Sequence, residues 1–297
     1  MQKNFFLIIF INLIIIFLIT EAACYFYNVR HYKKKPAYSL FKIQSFDKVY
    51  EMIKREKLRK PIGLQYKNRP ILLLGCSYAY GYKLDNKETL AYLLSEKMKR
   101  PLYNRAFEWN WGLNTMLYQS RREDFYKEVP NPEYIIYVFT SDHREKANCS
   151  SFDPIFPYPS VRYISKNGKL EKEKFPFRYN LHMFRTYSEY KVYKYSQEYL
   201  DNSANSFFIQ TKKEFDKHWK NYKFIILIYE RDKEYIKSEH KNWEELVKQG
   251  FTVISTTDLT GGIMDKKEYF ISDNYHPSKQ AWNVIVPNLI KKLEEIK

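Results

Sequence analysis

Residues 71–81 read Ile71-Leu72-Leu73-Leu74-Gly75-Cys76-Ser77-Tyr78-Ala79-Tyr80-Gly81, and the fold follows from this stretch. A short, continuous apolar run directly after Arg69-Pro70 has the pattern of a strand buried on both faces. The glycines that bracket the next segment let the backbone turn sharply, so Ser77 is expected at the carboxyl edge of that strand. Downstream, Leu90, Leu93, Leu94 and Met98 form one stripe of an amphipathic helix over 88–98. Tyr134–Phe139 and Phe224–Tyr229 repeat the buried-strand pattern, 243–249 reads as a helix stopped by Gly250, and 251–255 follows as another strand. Strands alternating with helices imply an α/β domain whose mostly parallel sheet is covered on both faces. The polar, Tyr-rich segment 148–215 lacks clean periodicity and reads as an insertion, with a helix expected around 186–200.

Working outward, the chain of 297 residues carries 50 Lys+Arg against 34 Asp+Glu, a formal charge of +16, with 18% aromatic residues. Eight glycines, twelve prolines and 28 tyrosines exclude collagen-like, low-complexity and disordered classes, which lack the apolar surface a core needs. Three cysteines, Cys24, Cys76 and Cys149, exclude a disulfide-stapled scaffold, and their spacing matches no zinc motif. His182, His218 and His240 lack metal-ligand spacing, so neither a metal nor another cofactor is expected. The charge is diffuse, with +4 before position 36 and +12 over the rest. No helix-turn-helix, zinc-finger or RNP pattern accompanies it, so nucleic acid is not expected as a partner, while an anionic envelope or lipid surface fits. Oligomeric state is not legible.

The mean hydropathy of −0.59 conceals one apolar segment. Phe5 to Thr20 is broken only by Asn12, and the following residues extend it to the roughly twenty needed to cross a bilayer. Residues 1–27 are therefore expected to form an N-terminal transmembrane signal anchor, with Tyr25, Phe26 and Tyr27 at the interface. Cleavage after Ala22 and lipoprotein processing before Cys24 are the competing outcomes. Residues 28–65 form a basic connector, and 66–297 the globular domain. Lys3 precedes the span while Arg30, Lys33, Lys34 and Lys35 follow it, so the charge rule alone leaves the domain in the cytoplasm.

The C-terminal stretch Asp273-Asn274-Tyr275-His276-Pro277-Ser278 opens a helix with an apolar stripe of Trp282, Ile285, Val286, Leu289, Ile290 and Leu293. An Asp three residues before a His, in a turn entering a helix, brings its carboxylate to Nδ1 and leaves Nε2 free to take a proton. Taken singly, Ser77 reads as a helix-capping turn serine and His276 as a structural histidine. Cys76 reads as a small buried residue. An α/β-hydrolase also places a serine after a strand, but there the serine lies in mid-domain and the acid and histidine come from separate segments.

These blocks resemble the SGNH or GDSL hydrolases. Gly75-Cys76-Ser77 with Gly81 looks like the family's first block, with Cys76 where an aspartate often stands, and Asp273, His276, Pro277 and Ser278 match its last. Asn104-Arg105-Ala106 with Gly112 downstream is similar to the second block, and Phe139-Thr140-Ser141-Asp142 to a degraded third. Glu21 and Arg30 are similar to residues just beyond the span of membrane-tethered members. The resemblance implies a flavodoxin-like three-layer α/β/α fold and a serine esterase, deacetylase or O-acyltransferase acting through an acyl-serine. Its substrate would be an acylated envelope carbohydrate or lipid. Ser77 would be the nucleophile, His276 the base and acid, and Asp273 the orienting carboxylate. The oxyanion hole would use the amides of Ser77 and Ala106 and the Ser141 hydroxyl in place of the family's asparagine. Loss of one such donor costs about 10²- to 10³-fold in rate. Asp142 or His143 would contact substrate, and the domain would lie outside the membrane, against the local charge count. The alternative is a weak or inactive relative that binds an envelope polymer or partner.

Overall fold

The computed structural model describes residues 6, 9–20, 58–107, 112–140, 142–147, 161–166, 169–174, 196–230, 243–262, 264–273 and 275–296. The chain forms β1 (Ile71–Gly75), α1 (Ser77–Tyr80), α2 (Leu90–Met98), β2 (Leu102–Asn104), α3 (Gly112–Ser120), α4 (Glu123–Glu128), β3 (Tyr134–Phe139) and α5 (Asp142–Ala147). It continues through β4 (Val161–Lys166), β5 (Lys169–Lys174), α6 (Gln197–His218), β6 (Lys223–Ile228), α7 (Glu244–Lys248), β7 (Phe251–Ser255), α8 (Thr256–Thr260) and α9 (Lys279–Glu295). Short 3₁₀ turns lie at Asn86–Glu88 and Lys267–Tyr269.

Five strands make one sheet in the order β2-β1-β3-β6-β7. Every pairing in it is parallel. The order reverses at β1, whose neighbours are β2 and β3, so the crevice at their carboxyl ends is the expected location for a site. Side chains alternate across the sheet, as the strand period requires. Leu73, Ile136, Val138, Ile225 and Leu227 pack on one face with Leu90 and Leu94 of α2 and Trp282, Ile285, Val286 and Leu289 of α9. Leu72, Leu74, Ile135, Tyr137, Phe139 and Ile226 pack on the other with Leu113 and Leu117 of α3 and Phe207, Phe208 and Phe215 of α6. This is the three-layer α/β/α arrangement, with both faces of the sheet dry.

The helix expected around 186–200 begins later. Ser196 caps it by accepting from the Tyr199 amide at 3.2 Å, and it runs to His218. Its three buried phenylalanines make it a core layer. Residues 186–195 lie outside the described residues. β4 and β5 form a separate two-stranded sheet. Residues 9–20 are helical, and their apolar side chains are mostly exposed. Among the described residues, no helix is long and apolar enough to cross a membrane. Residues 21–27, which the expected span includes, lie outside the described set, as do Cys24, Cys149 and most of the connector.

Candidate active site

β1 ends at Gly75, whose φ of +133° is the region glycine reaches without strain, and Ser77 follows as the first residue of α1. A Cβ on Gly75 would lie 2.8 Å from the Val138 carbonyl, so only glycine lets β1 lie this close to β3 at the point where the chain turns. Gly81 terminates α1 at φ +80°, its amide bonded to the Ser77 carbonyl at 3.0 Å. The nucleophile candidate is thus held on a single tight helical turn, and only 7% of its surface is exposed.

The partner turn arrives from the other end of the domain. The Ile271 amide donates to the His276 carbonyl and the Ser278 amide to the Tyr269 carbonyl, closing a bridge between Phe270 and Pro277. Ser278 then caps α9 by accepting from the Ala281 amide. Within this frame Asp273 Oδ1 accepts the amides of Tyr275 at 2.9 Å and His276 at 3.0 Å. Its Oδ2 lies 2.7 Å from His276 Nδ1. His276 Nε2 lies 2.9 Å from Ser77 Oγ, across a sequence separation of 199. The structure therefore joins Ser77, His276 and Asp273 in one hydrogen-bonded chain.

Electrostatics suit a base. Burial of the imidazole pulls the His276 pKa below its ordinary value, outweighing the Asp273 carboxylate, with Lys83 adding to the depression and Asp142 opposing it. For Asp273, partial burial acts upward but the hydrogen bonds from His276 and from the Tyr275 amide win, and the carboxyl titrates below its usual range. At neutral pH the pair is an uncharged imidazole beside a carboxylate, the state a general base requires.

Three tyrosines surround the imidazole, with ring centroids 4.6 Å away for Tyr82, 5.2 Å for Tyr275 and 5.5 Å for Tyr78. Burial raises the Tyr78 pKa far above the ordinary tyrosine value, so the hydroxyl stays protonated and donates to the Tyr275 carbonyl at 2.8 Å. The Tyr275 hydroxyl donates to Asp142 Oδ2 at 3.3 Å, and the Thr140 hydroxyl to Asp142 Oδ1 at 2.5 Å. Asp142 consequently borders the His276 turn. In a chain with 28 tyrosines, nothing in the sequence marks out Tyr78, Tyr82 or Tyr275.

The remaining candidates are placed differently. Asn104 donates from Nδ2 to the Ala79 carbonyl at 3.0 Å, and its Oδ1 accepts the Ala106 amide at 3.1 Å. The Ala106 amide is thus engaged by the side chain two residues before it. Ser141 lies outside the described residues. His143, expected to touch substrate, is fully buried and shares a 3.0 Å hydrogen bond with Tyr137. Its ring closes against Gly112, where φ is +35° and a Cβ would come within 3.2 Å of both the imidazole and the Tyr137 hydroxyl. His143 is a core residue because α5 turns it inward between β3 and α3, a direction that its polarity in the sequence does not announce. Cys76 is buried, as expected. Among the described residues no group of His, Cys, Asp and Glu is arranged to hold a metal.

No protein-family model matches the sequence, and no curated protein matches it. Among solved structures the chain is similar to TesA, with a TM-score of 0.47 at 12% identity, covering 77% of this chain and 100% of that one. It is similar to the acetyl xylan esterase Est2A from the rumen bacterium Butyrivibrio proteoclasticus, with a TM-score of 0.45 at 11% identity, covering 77% of this chain and 64% of that one. A member of the lipolytic G-D-S-L family from Veillonella parvula DSM 2008 gives a TM-score of 0.45 at 8% identity, covering 76% of this chain and 99% of that one.

Proposed function

We propose that the protein is an SGNH/GDSL-type serine hydrolase or acyl transferase acting on ester bonds. The unbroken chain from Ser77 Oγ through His276 to Asp273, at 2.9 and 2.7 Å, carries this reading. Neutral His276 takes the Ser77 proton through Nε2 as Oγ attacks the ester carbonyl carbon. The carbonyl oxygen becomes an oxyanion facing the Ser77 amide, which sits at the first helical position and so has no acceptor within α1. Collapse breaks the bond to the alcohol oxygen, which leaves with the proton held by His276. Water, or the hydroxyl of an acceptor, then repeats these steps on the acyl-serine and restores the free serine.

The substrate is an acylated carbohydrate or lipid of the cell envelope, a reading supported by the tyrosine-lined site and the basic surface. The N-terminal apolar segment tethers the domain to a membrane. Residues 9–20 support this, since they form a helix with apolar side chains turned outward on all sides. The catalytic domain lies on the extracytoplasmic side, and a C-terminal reporter fusion active only in the cytoplasm would overturn that placement.

A fluorophosphonate probe tests the central claim. The wild-type chain is expected to label and to hydrolyse 4-nitrophenyl acetate, and Ser77→Ala to abolish both. A folded wild-type protein that stays unlabelled sinks the enzyme reading.

A further inference from the structure

Besides Asp273, which bonds the imidazole directly, two charged side chains flank His276, and each reaches it through a tyrosine. On one side Asp142 binds the Tyr275 hydroxyl. On the other, the Lys83 ammonium sits 5.1 Å from the Tyr82 ring centroid, and that ring lies 4.6 Å from the imidazole. The two sides differ in how their charge is matched. Asp142 is held by hydroxyl donors, whereas among the described residues no carboxylate pairs with Lys83. Lys279, another lysine of this domain, is paired with Glu88 at 3.4 Å.

The loop that presents Lys83 is built, not loose. The Tyr82 amide donates to the Ser77 carbonyl at 3.0 Å and the Leu84 amide to the Gly81 carbonyl at 3.1 Å. The Arg59 guanidinium clips the same loop from outside, donating to the carbonyls of Gly81 at 2.7 Å and Leu84 at 3.1 Å and to the Asn86 side chain. Lys83 itself is held at φ +56°, a left-handed conformation that a long side chain rarely adopts. A strained residue fixed by its surroundings next to a reacting group is where functional constraint is expected. Here the loop holds near the base a positive charge that no carboxylate among the described residues pairs, and this charge adds to burial in disfavouring protonation of His276.

We propose that Lys83 is a specificity-determining residue that receives an anionic substituent, a carboxylate or a phosphate, carried by the substrate next to the ester that Ser77 attacks. Tyr82 supplies the wall between that substituent and His276. The proposal rests on the hydrolase reading above and narrows its substrate to acylated molecules bearing a fixed negative charge. The anion does two things at once: it pairs with Lys83, and it offsets the part that Lys83 plays, alongside burial, in opposing the imidazolium.

The test compares three esters on the full-length chain in neutral detergent: an O-acetylated methyl glucuronide, the matching O-acetylated methyl glucoside, and an O-acetylated glucose phosphate. Wild type is expected to prefer the charged esters, and the larger preference identifies carboxylate or phosphate as the group recognised. Lys83→Gln should lower the charged-over-neutral ratio of kcat/KM about tenfold, the scale of one charge-assisted contact, while Lys83→Arg keeps most of it. Lys279→Gln should leave the ratio unchanged. An unchanged ratio in Lys83→Gln, or an equal fall in Lys279→Gln, overturns the proposal while leaving the hydrolase intact. A second arm does not depend on turnover: NMR titration of His276 in Ser77→Ala with and without methyl glucuronide or inorganic phosphate. One of these anions should raise the His276 pKa, and adding Lys83→Gln should raise it without ligand and remove the ligand effect. If no ester is cleaved and the fluorophosphonate does not label, the hydrolase reading fails and the titration alone decides the anion site. No shift with either anion refutes it.

Discussion

The turns that carry Ser77 and His276 differ in kind from the turn after β3 that carries Asp142 and His143, although Tyr275 and Asp142 connect them. Ser77 and His276 are positioned largely by their own neighbours in sequence: glycines at 75 and 81 for the first, and Asp273, Pro277 and the Ser278 cap for the second. The β3 exit is positioned by distant packing. His143 lies between Tyr137 and Gly112, and Arg144 reaches Asp201 of α6 at 2.7 Å with both side chains 4% exposed. The Arg144 guanidinium also stacks over the rings of Phe139 and Trp243. Where a short segment contains its own turn-formers, motif and geometry coincide. Where the geometry is imposed from other elements, the motif can degrade without losing the turn.

The sharpest way to break this contrast is at the locally built end. Ser77→Ala is expected to reduce esterase turnover by about 10⁴- to 10⁶-fold with little change in unfolding midpoint, since a triad acts as a unit. A smaller loss would mean that Ser77 is a structural serine. Asp273→Asn should cost about 10³- to 10⁴-fold, because the amide still accepts from the backbone but favours the wrong imidazole tautomer. The readout is kcat with unchanged near-ultraviolet circular dichroism.

At the packed end, stability should respond first. Arg144→Met removes the buried 2.7 Å ion pair with Asp201 and should lower unfolding free energy by about 3–5 kcal/mol in a denaturant titration. A change under 1 kcal/mol (roughly the value of an exposed pair) would show that the burial is not what holds α5. Gly112→Ala forces a Cβ against the His143 ring and should cost about 1–3 kcal/mol, with Tyr137→Phe, which removes only the hydrogen bond, costing about 1 kcal/mol.

The smallest expected effect concerns pH. Because His276 titrates below its ordinary value, kcat/KM should rise with pH along an acid limb centred under 6.5 and level off by neutrality. The sign is that of a base which must be unprotonated to act. Asp142→Asn removes a negative charge that favours the imidazolium, so the limb should move further down by a fraction of a unit.

The central strands were legible because a strand buried on both faces is a continuous apolar run, and Ile71 and Tyr134 begin theirs where the pattern places them. β2 was not, since three residues carry too little pattern to separate from a loop. The late start of α6 was hidden for a related reason: its helical stripe of phenylalanines is diluted by polar residues, and the Ser196 cap is a single weak signal. Within the site, Asp273 and His276 were legible as a pair because three residues of one turn separate them. The place of His143 was not legible, because a polar side chain directly after a strand end has the same sequence whether it turns out to solvent or in to the core. Tyr78 and Tyr82 reach His276 from the Ser77 turn, a contact between distant segments that no window of sequence contains.

The amino-acid sequence by itself determined that this chain folds as a buried parallel sheet, with a serine at one strand exit and an aspartate–histidine turn before its last helix. Those are short-range facts, written in apolar runs, glycines and a capped turn. Packing was needed to bring the serine and histidine to hydrogen-bonding distance, to set His143 in the core, and to hold Lys83 near the base without a carboxylate partner among the described residues. Each of these depends on where distant segments pack, and packing against a shared sheet is a property of the whole domain.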